Sequence, residues 1–360
     1  MKKYFFILAA AAALAACAKN EVTQVLSQEN TEIAYNVAPK TKTLAANQEN
    51  FAQGNVFASW AYYLPGTTTW VEEGGKNAGA QAYIANSTIS YKDGVWKNAT
   101  ATYYWPKGGR LTFFAYSLNK ANLDLDVSNS SFFHCDPTTG ITGQIDLKKD
   151  PNTDFLVAEI AKDKSANVTT YAFNGVPTLF KHKLTRVVFT VTAENYPDKS
   201  FTLNSIQFNN LHAAAVYGQY STVDLAGAQN PTKDYLKPST GAAHMDNPFY
   251  TQTDLQVVAG AVTTVPEANE VTKIYIPQAF ADETATITVN YTIKTTVHNN
   301  GTDSTVEDNC TTTIPIKGKF PQWEMGKKYI FNLKFTLAEI TWDPAVEKWE
   351  DATAADVTIQ

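Results

Sequence analysis

The clearest indication of the fold is the stretch Ile287-Thr-Val289-Asn-Tyr291-Thr-Ile293, which alternates apolar and polar residues without interruption. Successive side chains of a β-strand point to opposite faces, so the apolar residues of this stretch share one face. A strand with one apolar and one polar face is typical of antiparallel sheets that bury a single side. Strand patterns also occur before this stretch, at residues 184–191, and after it, at residues 329–337. The C-terminal part of the chain therefore predicts several half-buried strands.

Turn signals separate short strand patterns along the rest of the chain. Asp93-Gly94 lies between alternating flanks, and an Asp-Gly pair supplies the positive φ angles of a type I′ hairpin turn. We find no long amphipathic helix pattern, and residues 222–249, with three prolines and little periodicity, predict a long loop. Many short strands between turns indicate β-sandwiches, and 360 residues are enough for two domains. We therefore predict an all-β protein with two tandem antiparallel β-sandwich domains, at residues 33–176 and 177–360.

The composition excludes several classes of protein. Hydrophobic residues make up 44% and charged residues 18% of the chain, which is typical of a globular protein. The formal net charge is −6, whereas nucleic acids and anionic membrane surfaces bind basic faces. We therefore predict no nucleic-acid partner, and the composition also excludes a coiled coil, a collagen-like chain and a polytopic membrane protein.

The first residues have the pattern of an export signal. Lys2 and Lys3 precede an apolar run over residues 4–16, which is shorter than the ~20 residues that span a bilayer. The end of the run and the residue after it read Leu14-Ala-Ala-Cys17, which resembles the bacterial lipobox, where the cysteine is acylated and becomes the new N-terminus. We predict a lipoprotein signal peptide over residues 1–16, lipidation at Cys17 and a polar tether over residues 17–32. An ordinary signal peptide with an incidental cysteine is the alternative.

Motifs of catalysis and of metal binding are missing from the sequence. There is no nucleophile elbow, P-loop, dinucleotide-binding glycine motif or zinc-protease motif, and the five histidines lack ligand spacing. Asp124 and Asp126 resemble the start of a calcium loop, but the glycine and glutamate that such a loop needs are absent. We predict no enzymatic activity, no cofactor and no metal. Cys135 and Cys310 can form a disulfide or remain two unpaired thiols.

Trp60, Trp70, Trp96 and Trp105 lie in the first half of the chain. Exposed aromatic rings can stack on sugars, but in alternating strands such rings more often fill a core. We favour the core interpretation for these four residues.

The chain resembles the fimbrillin family of Bacteroidetes, the pilins of type V pili. The segments that carry this resemblance are the Cys17 lipobox, Ile33-Ala-Tyr35, Tyr104-Trp105-Pro106, Leu111 to Tyr116, Asp154-Phe-Leu-Val-Ala158, Phe180-Lys-His182-Lys-Leu184, Val187 to Val191, Ile274-Tyr-Ile-Pro-Gln278, and Trp323, Gly326 and Tyr329 leading to Ile340, Asp343-Pro344, Val346 and Trp349. The resemblance implies that both β-sandwiches are transthyretin-like. It also implies a lipoprotein exposed at the outer membrane, with other pilus subunits or like copies as partners, and host or bacterial surface ligands.

In polymerising members of that family a protease removes the first strand, and the exposed groove accepts a strand from a neighbouring subunit. The resemblance makes Ile33, Tyr35 and Val37 the candidate first strand. Family members that build the stalk are usually cut after an arginine behind this strand, but this chain has no arginine before Arg110. Lys40 and Lys42 are the candidate processing sites instead. Alternatively, the chain keeps its first strand and acts as an anchor, accessory or tip subunit.

The predicted function is a fimbrial subunit or fimbrillin-like surface adhesin that assembles by β-strand donation. One alternative is a surface glycan-binding lipoprotein of a polysaccharide-uptake system. A second is a glycosidase or protease on a β-sandwich, which a cleft with two carboxylates about 5–10 Å apart would indicate. Glu72 and Glu73 form a carboxylate pair before Gly74-Gly75, and we interpret them as solvated residues of a glycine-rich turn. Asp303-Ser304-Thr305 matches a short O-glycosylation pattern of Bacteroides-type bacteria, which makes Ser304 a candidate glycosylation site in a hairpin loop.

Overall fold

A computed structural model describes most of the chain between residues 31 and 348. The described residues are 31–37, 51–71, 77–123, 133–149, 151, 153–166, 175–220, 234–239, 244–251, 254–265, 274–280, 285–337 and 340–348. Within these ranges there is no α-helix, so no helix of the length and hydrophobicity needed to cross a bilayer occurs there. The prediction of an all-β fold is confirmed.

The described residues form 23 β-strands. In chain order they are β1 Tyr35–Val37, β2 Phe57–Leu64, β3 Gln81–Lys92, β4 Val95–Asn98, β5 Arg110–Ser117, β6 His134–Asp136, β7 Gly140–Asp146, β8 Leu156–Ala158, β9 Ala161–Lys164, β10 Val176–Thr178, β11 Phe180–His182, β12 Thr185–Ala193, β13 Lys199–His212, β14 Ala214–Gly218, β15 Tyr235–Pro238, β16 His244–Tyr250, β17 Leu255–Val257, β18 Thr263–Thr264, β19 Ile274–Tyr275, β20 Thr286–Asn299, β21 Thr302–Pro315, β22 Lys327–Phe335 and β23 Ile340–Lys348.

A nine-stranded sheet organises the N-terminal half. Its order is β10-β1-β4-β3-β2-β5-β8-β11, and β9 also pairs with β5. Strand β10, at one edge, contacts β9, so the sheet curls back on itself. The inner face of this curl holds a core that includes Tyr35, Phe57, Trp96 and Phe113.

A four-stranded sheet packs against the other face of the nine-stranded sheet. Its order is β15-β14-β7-β6. Between the two sheets lies a second core, to which the nine-stranded sheet contributes Trp60 and Phe114 and the four-stranded sheet contributes Ile141 and Tyr217. The N-terminal half is therefore a β-sandwich whose larger sheet also wraps its own core.

Two five-stranded sheets form the rest of the C-terminal half. Their orders are β18-β12-β22-β23, with β19 on β12, and β16-β13-β20-β21, with β17 on β13. Most neighbouring strands in both sheets are antiparallel, but β12 and β22 run parallel. Alternate residues of β12 are buried, because this strand presents one face to the core between the sheets.

The strand pairing joins the two halves. β10 and β11 pair with β1 and β8, and β14 pairs with β7, although all three follow residue 175. The predicted division between residues 176 and 177 falls inside β10. The independence of two domains at that boundary stays a prediction.

The C-terminal core centres on Phe189, which has no exposed surface and packs against three further phenylalanines. We expect Phe189→Ala to lower the free energy of unfolding by about 3–5 kcal/mol, because it removes a ring and leaves a cavity. Urea unfolding followed by fluorescence measures this change. The matched control is Val297→Ala, since Val297 is exposed and its truncation is expected to cost less than about 0.5 kcal/mol. Equal losses in the two variants would contradict this account of the core.

Candidate functional site

The candidate first strand lies in the segment of residues 31–37, here called the first-strand segment. Its odd-numbered apolar residues face inward: Ile33 and Tyr35 are buried, and Val37 is half-buried against the same core. Asn36 is exposed. The segment therefore has the apolar face that its sequence pattern requires, and its role as an exchangeable strand stays a prediction.

Both edges of the first-strand segment are hydrogen-bonded. On one side, Ile33 N–H donates to the Tyr103 carbonyl at 2.8 Å, and Trp105 N–H donates to the Thr31 carbonyl at 3.1 Å. Further along the same side, Tyr35 pairs with Trp96 of β4 in antiparallel fashion.

On the other side of the segment, β1 and β10 pair in parallel, with Tyr35, Asn36 and Val37 opposite residues 176–178. Val176 N–H donates to the Ala34 carbonyl at 2.7 Å. The segment is thus an interior strand of the curled sheet, and β10 has no other strand partner among the described residues.

The Tyr35 side chain fills the centre of the inner core. Its hydroxyl donates to Ser59 Oγ at 3.0 Å, and both side chains are buried. The ring makes edge contacts with Phe57 and Phe113, at centroid distances of 5.4 and 6.0 Å. Burial raises the pKa of Tyr35 above its ordinary value, so the hydroxyl stays protonated and keeps this hydrogen bond across the physiological pH range.

Gly175 lets the chain approach the first-strand segment closely. Its φ angle is +82°, and a Cβ atom there would lie 2.7 Å from the carbonyl carbon of Tyr35. Only glycine combines this backbone conformation with this contact. The sequence shows Asn174-Gly175 simply as a turn, and nothing local indicates that the glycine packs against Tyr35.

If the first-strand segment left, it would uncover an apolar groove. We call this the first-strand groove, and it is lined by Phe57, Ser59, Trp96, Phe113 and Val176. With these side chains open to water, the apolar surface would favour a replacement strand of the same alternating pattern.

The two candidate processing lysines, Lys40 and Lys42, lie outside the described residues, as does Cys17. Phe51, the first described residue after them, stacks on Phe180 at 5.0 Å and contacts Trp96 at 5.2 Å. The chain is therefore held to the inner core both before and after residues 38–50.

Ser304 lies within strand β21 and not in the hairpin loop that its sequence context predicts. It is exposed and pairs with Val297 of β20. Its neighbour Asp303 accepts a hydrogen bond from His298 at 2.7 Å, and the other ring nitrogen of His298 lies 3.3 Å from Asp198. Glycosylation of Ser304 stays a prediction.

The remaining candidates do not assemble into a chemical site. Trp60, Trp70, Trp96 and Trp105 are all buried, so none of them offers an exposed face for stacking on a sugar. Glu72, Glu73, Asp124 and Asp126 lie outside the described residues. In the part of the chain that the structure describes, no group of three or more His, Cys, Asp or Glu residues is arranged to hold a metal ion.

The two cysteines beyond the lipobox are both free. Cys135 is buried on β6, where burial raises the pKa of its thiol, and Cys310 is half-buried on β21. The disulfide alternative is therefore not realised in this structure.

Solved structures of fimbrial proteins are among those similar to this chain. A fimbrial protein from Bacteroides vulgatus has a TM-score of 0.59 to this chain at 16% identity, with 89% of this chain and 100% of that chain covered. The fimbrial anchor protein Mfa2 from Porphyromonas gingivalis has a TM-score of 0.30 at 12% identity, with 88% of this chain and 97% of that chain covered. At 16% identity, the likeness to the Bacteroides vulgatus protein shows a shared fold. Among curated proteins no match was found.

The family model for fimbrillin-like proteins matches residues 45–349. The matched stretch includes β2 to β23, and the first-strand segment precedes it. Because the match spans most of the chain, this protein belongs to the fimbrillin-like family.

Proposed function

We propose that this protein is a cell-surface fimbrial subunit or fimbrillin-like adhesin that assembles by accepting a β-strand from a neighbouring subunit. The observation that carries the proposal is the first-strand segment, an interior strand of the curled sheet with an alternating buried face. Family membership supports a structural role in fimbriae or adhesion, in place of catalysis.

The bonding of the first-strand segment is of a kind that another strand can reproduce. The hydrogen bonds to Tyr103, Trp105 and β10 join main-chain atoms, so they do not depend on the sequence of the strand. The first-strand groove then selects apolar residues at alternate positions. A donor strand with that pattern would restore both the hydrogen bonds and the buried area.

The polar stretch over residues 38–50 is the proposed processing region. It contains Lys40 and Lys42 and no aromatic residue, and it joins two segments that are each packed on the inner core. Cleavage there would leave the first-strand segment held by noncovalent contacts alone.

Lipidation at Cys17 is the proposed anchor to the outer membrane. In this proposal the acylated protein reaches the cell surface and meets other pilus subunits or like copies there. A chain that keeps its first strand would serve as an anchor or accessory subunit. The four buried tryptophans give no support to the alternative of a tryptophan-based glycan-binding lipoprotein.

Replacing Cys17 tests the anchor. We expect Cys17→Ala to release the exported protein from the membrane fraction, because stable anchoring needs at least two hydrophobic chains or an equivalent second signal. The control is Cys310→Ala, which removes a thiol on β21 and leaves the lipobox intact. Retention of the Cys17→Ala variant on salt-washed membranes would show that the lipobox interpretation is wrong.

Cleavage with a Lys-specific protease tests strand exchange. We expect a cut at Lys40 or Lys42 to loosen the first-strand segment and to produce polymers visible by gel and electron microscopy. The double variant Lys40→Gln/Lys42→Gln, treated in the same way, is expected to stay monomeric. Clean cleavage at these lysines that yields only monomers would remove strand exchange and favour the anchor or accessory role.

Replacing the buried tyrosine tests how the first-strand segment is held. Tyr35→Phe removes the hydroxyl that donates to Ser59, so we expect a loss of about 1 kcal/mol in the free energy of unfolding. Tyr196→Phe is the control, because the Tyr196 hydroxyl bonds to the exposed Glu194 and its loss is expected to cost less than about 0.5 kcal/mol. Urea unfolding measures the free energy of unfolding of both variants. Equal losses would show that the Tyr35 hydrogen bond stabilises the fold no more than the exposed Tyr196 hydrogen bond does.

A further inference from the structure

A largely buried ion pair connects the two sheets of the N-terminal sandwich. Lys183 follows β11 of the nine-stranded sheet, and Asp234 immediately precedes β15 of the four-stranded sheet, 51 positions further along the chain. Among the lysines whose exposure the structure describes, Lys183 alone is buried, with 8% of its side chain exposed, and its Nζ donates to Asp234 Oδ2. An ion pair that is removed from water carries a desolvation cost, whereas a neutral link in the same place would avoid it.

The main chain around both partners is held in place. Lys183 N–H donates to the Phe155 carbonyl at 2.9 Å, which holds the lysine backbone beside the start of β8. Asp234 leads directly into β15, which pairs with β14 over its whole length. Reacting groups that are fixed side by side behave as if highly concentrated, with effective molarities that reach about 10⁵–10⁸ M in well-oriented pairs.

The Tyr217 hydroxyl supplies a proton donor to the same carboxylate. It donates from β14 to Asp234 Oδ2 at 3.0 Å, and the tyrosine has no exposed surface. Burial, and then the negative charge of Asp234, raise the pKa of Tyr217 well above its ordinary value, so this donor stays protonated. A donor fixed on a carboxyl oxygen stabilises the negative charge that develops there when a nucleophile attacks the carboxyl carbon.

The surroundings of the pair are apolar on one side and polar on the other. Leu184 and Leu236, which adjoin the pair along the chain, lie with Tyr217 in the core between the two sheets. Lys183 and Asp234 also line a polar cavity of about 370 Å³. This cavity gives a small leaving molecule, such as water, a path away from the pair.

We propose that Lys183 and Asp234 become joined by an isopeptide bond, with the ion pair as its precursor. One proton passes from the Lys183 ammonium to the carboxylate, which leaves a neutral amine and a neutral acid. The Nζ lone pair then forms a bond to Cγ of Asp234, while the bond from Cγ to one carboxyl oxygen breaks. That oxygen leaves as water, with the carboxyl proton and one further proton from Nζ. No atom is oxidised or reduced, and Tyr217 stays hydrogen-bonded to the oxygen that becomes the amide carbonyl.

The cross-link would close the chain from residue 183 to residue 234 into a covalent loop. It would fasten the nine-stranded sheet to β15, the edge strand of the four-stranded sheet, and would hold the two sheets together under mechanical load. The amide is neutral, so the desolvation cost of the buried charges disappears once it forms. This inference goes beyond the proposed function and does not depend on strand exchange.

Peptide mass spectrometry of the purified full chain, unfolded and digested with trypsin, tests the cross-link. Trypsin does not cut after a lysine whose Nζ is part of an amide, so we expect residues 182–186 to be joined to the peptide that begins at Asp234. The joined product is expected to weigh about 18 Da less than its two peptides together, which is the mass of one water. This readout does not depend on how the N-terminus is processed. Absence of the joined product, with cleavage after Lys183, would overturn the proposal.

Three variants test the assignment of the bond. Lys183→Arg keeps the positive charge but removes the amine, so we expect only separate peptides. The matched control is Lys181→Arg on the same segment, because Lys181 pairs at 2.8 Å with Glu159 and both side chains are more than a third exposed. This control is expected to keep the joined product, and a joined product that persists in Lys183→Arg would overturn the assignment.

Tyr217→Phe tests the proton donor. We expect it to slow joining by at least about tenfold, measured as the joined fraction in freshly synthesised protein, because it removes the hydrogen bond to the oxygen on which charge develops. The ring stays in the core, so the fold keeps its packing. An unchanged joined fraction would overturn the role given to Tyr217.

Discussion

The main-chain hydrogen bonds on both edges of residues 31–37 are the constraint on which the N-terminal architecture depends. This short segment joins β4 to β10, and β10 has no other strand partner in the described part of the chain. Through these bonds the sheet curls far enough to enclose a core on its inner face. Tyr35 then occupies the space that the curl creates, between Phe57 and Phe113.

The same arrangement is compatible with the proposed exchange of this segment for a strand of a neighbouring subunit. Its hydrogen bonds are satisfied by any extended chain, whereas its buried side chains require only an alternating apolar pattern. An interior strand leaves two unpaired edges when it departs, so the open state is costly and short-lived unless a replacement arrives. Strand donation would therefore couple loss of the first strand to assembly.

The two halves of the chain share packing as well as strands. Leu184, Ile274 and Ile276 lie in the second half and contribute to the core between the nine-stranded and four-stranded sheets. The β14–β15 pair completes the four-stranded sheet. Changes at the junction would therefore alter the stability of the N-terminal sandwich.

Periodicity in the sequence predicts the strands that are buried on one side. Ile287, Val289 and Tyr291 of β20 are buried as their alternation requires, and Asp93 and Gly94 adopt the positive φ angles of the predicted turn. The prediction of a long loop over residues 222–249 is wrong in part, because β15 and β16 form there. Such strands depend on partners distant in sequence, namely β14 and β13, which local patterns do not reveal.

The candidate site was predictable only as a strand. The alternation from Ile33 to Val37 indicates a buried face, but it does not identify Ser59 or Gly175 as its contacts, because these residues come from separate parts of the chain.

Hydrogen exchange at the Val176 amide tests whether β10 depends on the first-strand segment. This amide donates to the Ala34 carbonyl, so it reports whether the first-strand segment is in place. We expect strong protection in the intact protein, and loss of that protection in protein trimmed of the residues up to Lys42, while β13 and β20 remain protected. Unchanged protection of Val176 after trimming would show that β10 does not depend on the first strand, which would contradict this expectation.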